Sequence, residues 1–211
     1  MNKETYESIR TLCNRYNAEL VVVSKYRSAE QLSEYYQSGQ RLFAENRVQE
    51  MTEKRTRLPE DIRWHMIGHL QTNKVRDIIP FIEMIESVHS IKLAKEIEKQ
   101  AAKIQREIPV LLQFNISAEQ SKSGFDPADW KQVAETVSSF SHLNVKGIMV
   151  IGPHTEDTEH IRSVFHEGKI LLSKLQTMIP SATELSMGMS SDYTIALEEG
   201  ATIIRIGSIL F

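Results

Sequence analysis

Eight short apolar runs recur along the chain, each but the last followed by a stretch of helical character, and nothing else in the sequence restricts the fold as tightly. The runs are "LVVVSK" (20–25), "RLFAEN" (41–46), "RWHMIG" (63–68) and "FIEMIESV" (81–88), then "PVLLQFNI" (109–116), "VKGIMVIG" (145–152), "TELSMG" (183–188) and "TIIRIGS" (202–208). The first has the near-continuous apolar character of a strand covered on both faces. Between the runs, apolar residues fall at steps of three and four. Ala94, Ile97, Ala101 and Ile104 make one stripe, and Ile161, Val164, Phe165, Leu171, Leu172 and Leu175 another. A further helix at 2–17, with Tyr6, Ile9, Cys13 and Tyr16 on one face, precedes the first run. Gly39 and Gly200 mark helix ends. Strand alternating with helix predicts parallel strands joined by right-handed crossovers. Eight such units in 211 residues predict an α/β fold closed into a (β/α)8 TIM barrel, with an extra N-terminal helix. A doubly wound open sheet is the alternative, and no Gly-x-Gly-x-x-Gly turn follows the first run to support it. No linker or low-complexity stretch divides the chain, so residues 1–211 are expected to form a single domain.

Composition narrows the class of function. A formal net charge of -3 disfavours a nucleic-acid partner, since phosphate binding calls for a basic surface. No apolar run approaches the ~20 residues that cross a bilayer, and the start "MNKETYESIR" lacks the apolar centre of a signal peptide. The expectation is a cytoplasmic protein with no membrane partner. A single cysteine, Cys13, excludes an internal disulfide framework and a cysteine-based zinc site, and no histidine spacing points to a metal.

In barrels of this kind chemistry gathers where strands end at their C-termini. Lys25, Asn46, Asn115, Ser117, Ser186 and Gly207 all stand at such ends. Alternation sorts them by face. Lys25 shares a face with Val21 and Val23, Asn46 with Leu42 and Ala44, Asn115 with Gln113, Ser186 with Glu184, and Gly207 with Arg205. A mouth holding a lysine, an arginine, two asparagines and a serine suits a ligand that pairs them, because buried polar groups cost free energy when unpaired. The last two loops, "SMGMSSD" (186–192) and "RIGS" (205–208), are rich in glycine and serine, which let backbone amides and hydroxyls meet a phosphate. Ser190 or Ser191 is expected to cap the helix that follows. A strand-end lysine, an arginine and a phosphate cradle together fit pyridoxal 5'-phosphate (PLP), whose aldehyde a lysine amine attacks to form a Schiff base. The apolar strand before Lys25 is expected to bury the amine and lower its pKa. A sugar-phosphate or nucleotide-binding barrel is the competing class.

The motifs "VVVSKYR", "RLFAENRVQE", "WHMIGHLQTNK", "LLQFNISAEQSKSGF", "VKGIMVIG" and "ELSMGMSSDYTIALEEGATIIRIGS" together resemble the pyridoxal phosphate homeostasis proteins, the YggS/PROSC family. The likeness runs from about Val21 to Ser208. That family is similar in fold to the N-terminal barrel of alanine racemase, the fold-type III PLP enzymes. The resemblance implies that Lys25 forms the Schiff base, that Asn46 lies beside the cofactor ring and that Arg205 partners the pyridine nitrogen. It further implies that Ser186, Ser190, Gly207 and Ser208 cradle the phosphate and that His65 and Met187 line the ring. Lys122, in "SKSGF", is a candidate secondary PLP acceptor by transimination. The family's function implies a non-catalytic cofactor carrier or buffer in intracellular PLP homeostasis, with apo PLP-dependent enzymes as partners. A small fold-type III racemase or decarboxylase is the alternative. The sequence stops soon after the eighth run, so the racemase β-domain and its tyrosine base are expected to be absent and the protein to be a monomer.

Overall fold

The computed structural model describes residues 2–117, 119 and 123–211. In chain order the elements are α1 (Lys3–Tyr16), β1 (Glu19–Val23), α2 (Ala29–Gln37), β2 (Leu42–Glu45), α3 (Val48–Arg55), β3 (Arg63–Met66), α4 (Val75–Ile78) and β4 (Met84–Val88). There follow α5 (Ile91–Lys103), β5 (Ile108–Phe114), α6 (Trp130–Val137), β6 (Leu143–Val150), α7 (Thr158–Gln176), β7 (Glu184–Ser186), α8 (Tyr193–Glu198) and β8 (Ile203–Ile206). The eight strands pair in sequence order, all parallel, and β8 returns to β1 to close the barrel. The register there sets Leu20 opposite Ile204, Val21 opposite Arg205 and Val22 opposite Ile206. The strands stop short of the apolar runs. β1 ends at Val23, which leaves Ser24 and Lys25 in the turn above it.

Alternation along the strands separates two apolar layers. Val21, Leu42, Ala44, Leu111, Met149 and Ile203 fill the barrel interior. Val22, Phe43, Trp64, Ile85, Val110, Leu112, Ile148, Leu185 and Ile204 belong to the larger core between barrel and helices. Such barrels are filled by layered side chains rather than hollow, so polar groups are forced to the two ends or into special pairs.

The extra helix completes the outer ring. Among the described residues no helix follows β8, and α1 packs on β1 and α8 at the side of the barrel between them. Asn2 caps α1 by accepting from the Thr5 amide. Tyr6 is fully buried, edge-on to Tyr35 of α2 at 5.2 Å. Its hydroxyl donates to Gln40 Oε1 (3.1 Å), and the Gln40 amide donates to the carbonyls of Leu20 (3.0 Å) and Leu42 (2.6 Å). Cys13 is a core residue on the same face, its thiol pushed up to about 11 by burial. The Asn2 amide and the Tyr35 hydroxyl both donate to the Leu210 carbonyl, stitching the end of the chain beside α1 and α2. Among the described residues no helix is long and apolar enough to cross a membrane.

Candidate functional site

A cavity of about 290 Å3 opens at the C-terminal end of the barrel, lined by Val23, Lys25, Ile67, Met189, Ser190, Ser191, Arg205, Gly207 and Ser208. It gathers the ends of β1, β3 and β8 and the loop after β7. Pockets for small molecules start at roughly 300 Å3, so this one suits a single ring bearing one phosphate. Lys25 stands in its wall with an exposed side chain, and its ammonium has no hydrogen-bonded or ion-paired partner among the described residues. The apolar strand therefore lies beneath the amine rather than around it, against the expectation of a buried lysine. Ser190 Oγ accepts from the Gly207 amide at 3.4 Å, joining the two Gly/Ser loops into one surface. Gly188 allows the first of these loops its turn: its φ is +90° and a Cβ there would lie 2.5 Å from that of Ala196. Neither Ser190 nor Ser191 caps α8. The N-cap is the buried Asp192, whose Oδ1 accepts from the Met189 amide at 2.6 Å.

Another cavity of about 290 Å3 lies at the opposite end, lined in part by Arg10, Gln40, Arg41 and Arg63. Its arginines already face Glu7 (3.9 Å), Asp61 (2.7 Å) and Glu19 (3.5 Å), and the chemistry of these barrels belongs to the other end.

Four buried polar side chains form a chain across the barrel. His65 Nδ1 meets Glu86 Oε1 at 2.5 Å, Ser186 Oγ donates to Glu86 Oε2 at 2.5 Å, and Arg205 donates to Ser186 Oγ at 2.5 Å. A second Arg205 nitrogen donates to the Val150 carbonyl at 3.0 Å and a carboxylate oxygen of Glu86 lies 3.9 Å from the guanidinium. Burial alone would push Glu86 up. The His65 hydrogen bond and charge, the Arg205 charge and the Ser186 hydrogen bond outweigh it and hold the carboxyl below its usual range. Burial likewise pulls Arg205 down, opposed by Glu86 and Asp192. The guanidinium keeps its charge and can only donate.

The structure thus gathers Lys25, Ser190, Arg205, Gly207 and Ser208 at one cavity. Asn46 directly follows β2, outside the cavity lining, and its Oδ1 is buried without a partner among the described residues, an acceptor that a bound ligand can satisfy. Three expected residues are placed elsewhere. Ser186 is fully buried with its hydroxyl bonded between Glu86 and Arg205, below the residues that line the cavity. Met187 follows it on the opposite face, wholly buried in the layer beneath the helices, and Met189 is the methionine at the cavity wall. His65 is tied to Glu86, and Ile67, two residues on, lines the cavity in its place. Asn115 donates to the Glu119 carbonyl at 2.9 Å and Ser117 to Asn115 Oδ1 at 3.5 Å, so both serve the loop after β5. Lys122 lies outside the described residues.

Two residues that matter here escaped the sequence reading. Glu86 sits in "FIEMIESV", where a charged residue within an apolar run was the available signal. Gly68 lets the β3–α4 connection cross β2, since a Cβ there would fall 2.2 Å from the Asn46 carbonyl oxygen.

A free primary amine, an anion-binding surface of amides and hydroxyls, and a buried guanidinium share this end of the molecule. Comparison with known proteins points the same way. The alanine racemase N-terminal domain family matches residues 3–211. The chain is 38% identical to the pyridoxal phosphate homeostasis protein of Aquifex aeolicus, covering 97% of this chain and 93% of that one. It is 40% identical to the protein of the same description from Helicobacter pylori, covering 97% and 92%. PipY of Synechococcus elongatus is 36% identical and superimposes over the full length of both chains, with a TM-score of 0.93 without PLP and 0.91 with PLP bound.

Proposed function

The chain belongs to the pyridoxal phosphate homeostasis protein family, within the alanine racemase N-terminal domain class, and from that premise we propose that it holds PLP as a Schiff base on Lys25 and serves as a carrier or buffer of the cofactor. The observation that carries this reading is the unpaired Lys25 amine sharing one small cavity with Arg205 and a Gly/Ser surface. When bound, PLP supplies an aldehyde that condenses with an amine and a ring that withdraws electrons. The hydroxyls of Ser190, Ser191 and Ser208 would supply donors for the phosphate, and Gly207, whose amide donates to Ser190 Oγ, holds the two loops together without a side chain in the way. The unpartnered Asn46 Oδ1 would be available to accept from the bound cofactor. Arg205, fixed by Ser186 and Val150, presents a permanent positive charge. Opposite a pyridine nitrogen it favours the unprotonated ring, a weaker electron sink than one paired with a carboxylate.

The same wall supports holding over turnover. Racemisation needs an acid–base group on each face of the reacting carbon. Among the described lining residues Lys25 is the one such group. Tyr26 is 67% exposed and Tyr193 opens α8, and neither lines the cavity. The family's relatives are named for homeostasis rather than for a reaction. Delivery to apo PLP-dependent enzymes, by a monomer in the cytoplasm, is part of this reading.

Titration with PLP tests it. The protein is expected to develop an absorbance band near about 420 nm, the region of a protonated PLP–lysine Schiff base, and Lys25→Ala is expected to lose it. A band of equal strength in Lys25→Ala contradicts the assignment. Solvent deuterium appearing at the α-carbon of an amino acid, dependent on Lys25, contradicts the absence of turnover.

A further inference from the structure

We propose that Glu50 and Lys54 of α3 are positioning residues that clamp the backbone on both sides of Lys25 and thereby set how long PLP is retained. The proposal rests on the reading of Lys25 as the cofactor lysine. Neither residue lines the cavity; both act through the turn that bears the amine. On the near side, Lys54 Nζ donates to the Ser24 carbonyl at 2.7 Å. On the far side, Glu50 Oε2 accepts from the Tyr26 amide at 3.0 Å. The two are four residues apart on one face of α3, and Lys54 Nζ lies 3.5 Å from Glu50 Oε2, so they form one unit.

The unit is anchored below. Lys54 Nζ also reaches Glu45 Oε1 at 2.5 Å, and Ser24 Oγ donates to that same oxygen at 2.7 Å. Glu45 is wholly buried and Lys54 nearly so. A buried ion pair gains little over apolar side chains of the same volume, because desolvation offsets the attraction. Stability alone therefore gives weak reason for this pair. What it does supply is geometry: an ammonium hydrogen-bonded to oxygens of β2 and the lysine turn and ion-paired with α3.

The turn needs such a hold. Tyr26 has φ of 62°, a left-handed conformation that is a genuine outlier for a bulky residue. Strain of that kind persists where its surroundings over-determine it. The Tyr26 ring does little of this: it is 67% exposed, with the Arg47 guanidinium 5.5 Å from its centre. The turn is closed by the Arg27 amide donating to the Ser24 carbonyl at 3.1 Å, and the bond from the Tyr26 amide to Glu50 ties that turn to α3. With Ser24 and Tyr26 both fixed, the freedom left to Lys25 is that of its own side chain. When water hydrolyses the imine to free aldehyde and the Lys25 amine, recondensation with loss of that water is then fast relative to escape, as expected for a pre-positioned nucleophile.

Release of PLP from the loaded protein, measured by transfer to an excess of a competing amine, tests the clamp. Glu50 is half-buried at the surface of α3, so Glu50→Ala is expected to fold and to release PLP about tenfold faster, the order for one charge-assisted hydrogen bond. It is also expected to shift the pH midpoint of the visible band. Glu50→Gln, which keeps an acceptor for the Tyr26 amide, is expected to restore both. Because Lys54→Met alone strands the Glu45 charge, the paired variant Glu45→Gln/Lys54→Met removes the ion pair together and is expected to behave as Glu50→Ala does. Hydrogen exchange at the Tyr26 amide, measured without PLP, is expected to quicken about tenfold in Glu50→Ala and not in Glu50→Gln. Unchanged Tyr26 exchange, or parental release rates in both Glu50→Ala and the paired variant, overturns the clamp. A parent protein that takes up no PLP overturns the cofactor reading instead.

Discussion

Glu86 carries a charge into a wholly buried stretch of strand, between Ile85 on one side and Ser87 and Val88 on the other. Its partners make that tenable, and the balance depends on pH. Its carboxyl is held below the ordinary value of 4.5 in the folded protein. Its ionisation therefore stabilises the fold at pH above 4.5, and that contribution is lost as pH falls through the lower folded value. Glu86→Gln removes the larger of the two acidic charges that offset the buried Arg205, leaving Asp192, and the expected loss at pH 7 is roughly 3 kcal/mol by denaturant unfolding. The gap between variant and parent is expected to narrow in acid; a gap constant from pH 7 to below 4.5 contradicts this account of Glu86. The same residue shows why some of the site was hidden in the sequence. Periodicity assigned Ser186 to the inward face, and the structure agrees. What the pattern lacked was the partner that consumes its hydroxyl, which sits a hundred residues away. Met187 and Met189 were a different difficulty. β7 ends at Ser186, so strand alternation offers no guide to which later methionine reaches the cavity.

α1 is the element on which closure of the outer ring depends. Tyr6 joins it to α2 through the Tyr35 ring and to β1 and β2 through Gln40. Tyr6→Ala is expected to cost about 3–5 kcal/mol in chemical denaturation, as for a large core side chain, and Tyr6→Phe about 1 kcal/mol for the one hydrogen bond. Equal losses in the two variants would show that packing of the ring is not the larger part. The elements themselves were largely legible. α1, α5 and α7 fall within two or three residues of their apolar stripes, because an amphipathic helix buries the face its spacing defines. The strands are all shorter than their apolar runs save β6, which begins two residues earlier, at Leu143. A run can stay apolar past its last ladder bond, as "LVVVSK" does, so the sequence located Lys25 at the right end of the barrel but one turn too deep in it.

At the scale of the molecule, the barrel divides its labour between its ends. The N-terminal end spends its polar groups on itself, in the pairs of Arg10, Arg41 and Arg63 and in the Gln40 ties. The C-terminal end leaves the Lys25 amine and the Asn46 carbonyl without protein partners among the described residues. That asymmetry was readable in the strand-end residues, since the eightfold rhythm fixes which end of each run is which. The distinct roles of Arg205, at once a cavity residue and the end of the Glu86 chain, depend on side chains from strands far apart in sequence, which no local pattern displays. The central claim is that one lysine among many is the attachment point for PLP. Borohydride reduction of the protein loaded with an equimolar amount of PLP, followed by digestion and mass spectrometry, tests it directly. The account predicts a single pyridoxyl group per chain, on Lys25, reduced in proportion when free phosphate competes for the cradle. Label spread over surface lysines with Lys25 unmodified would contradict it.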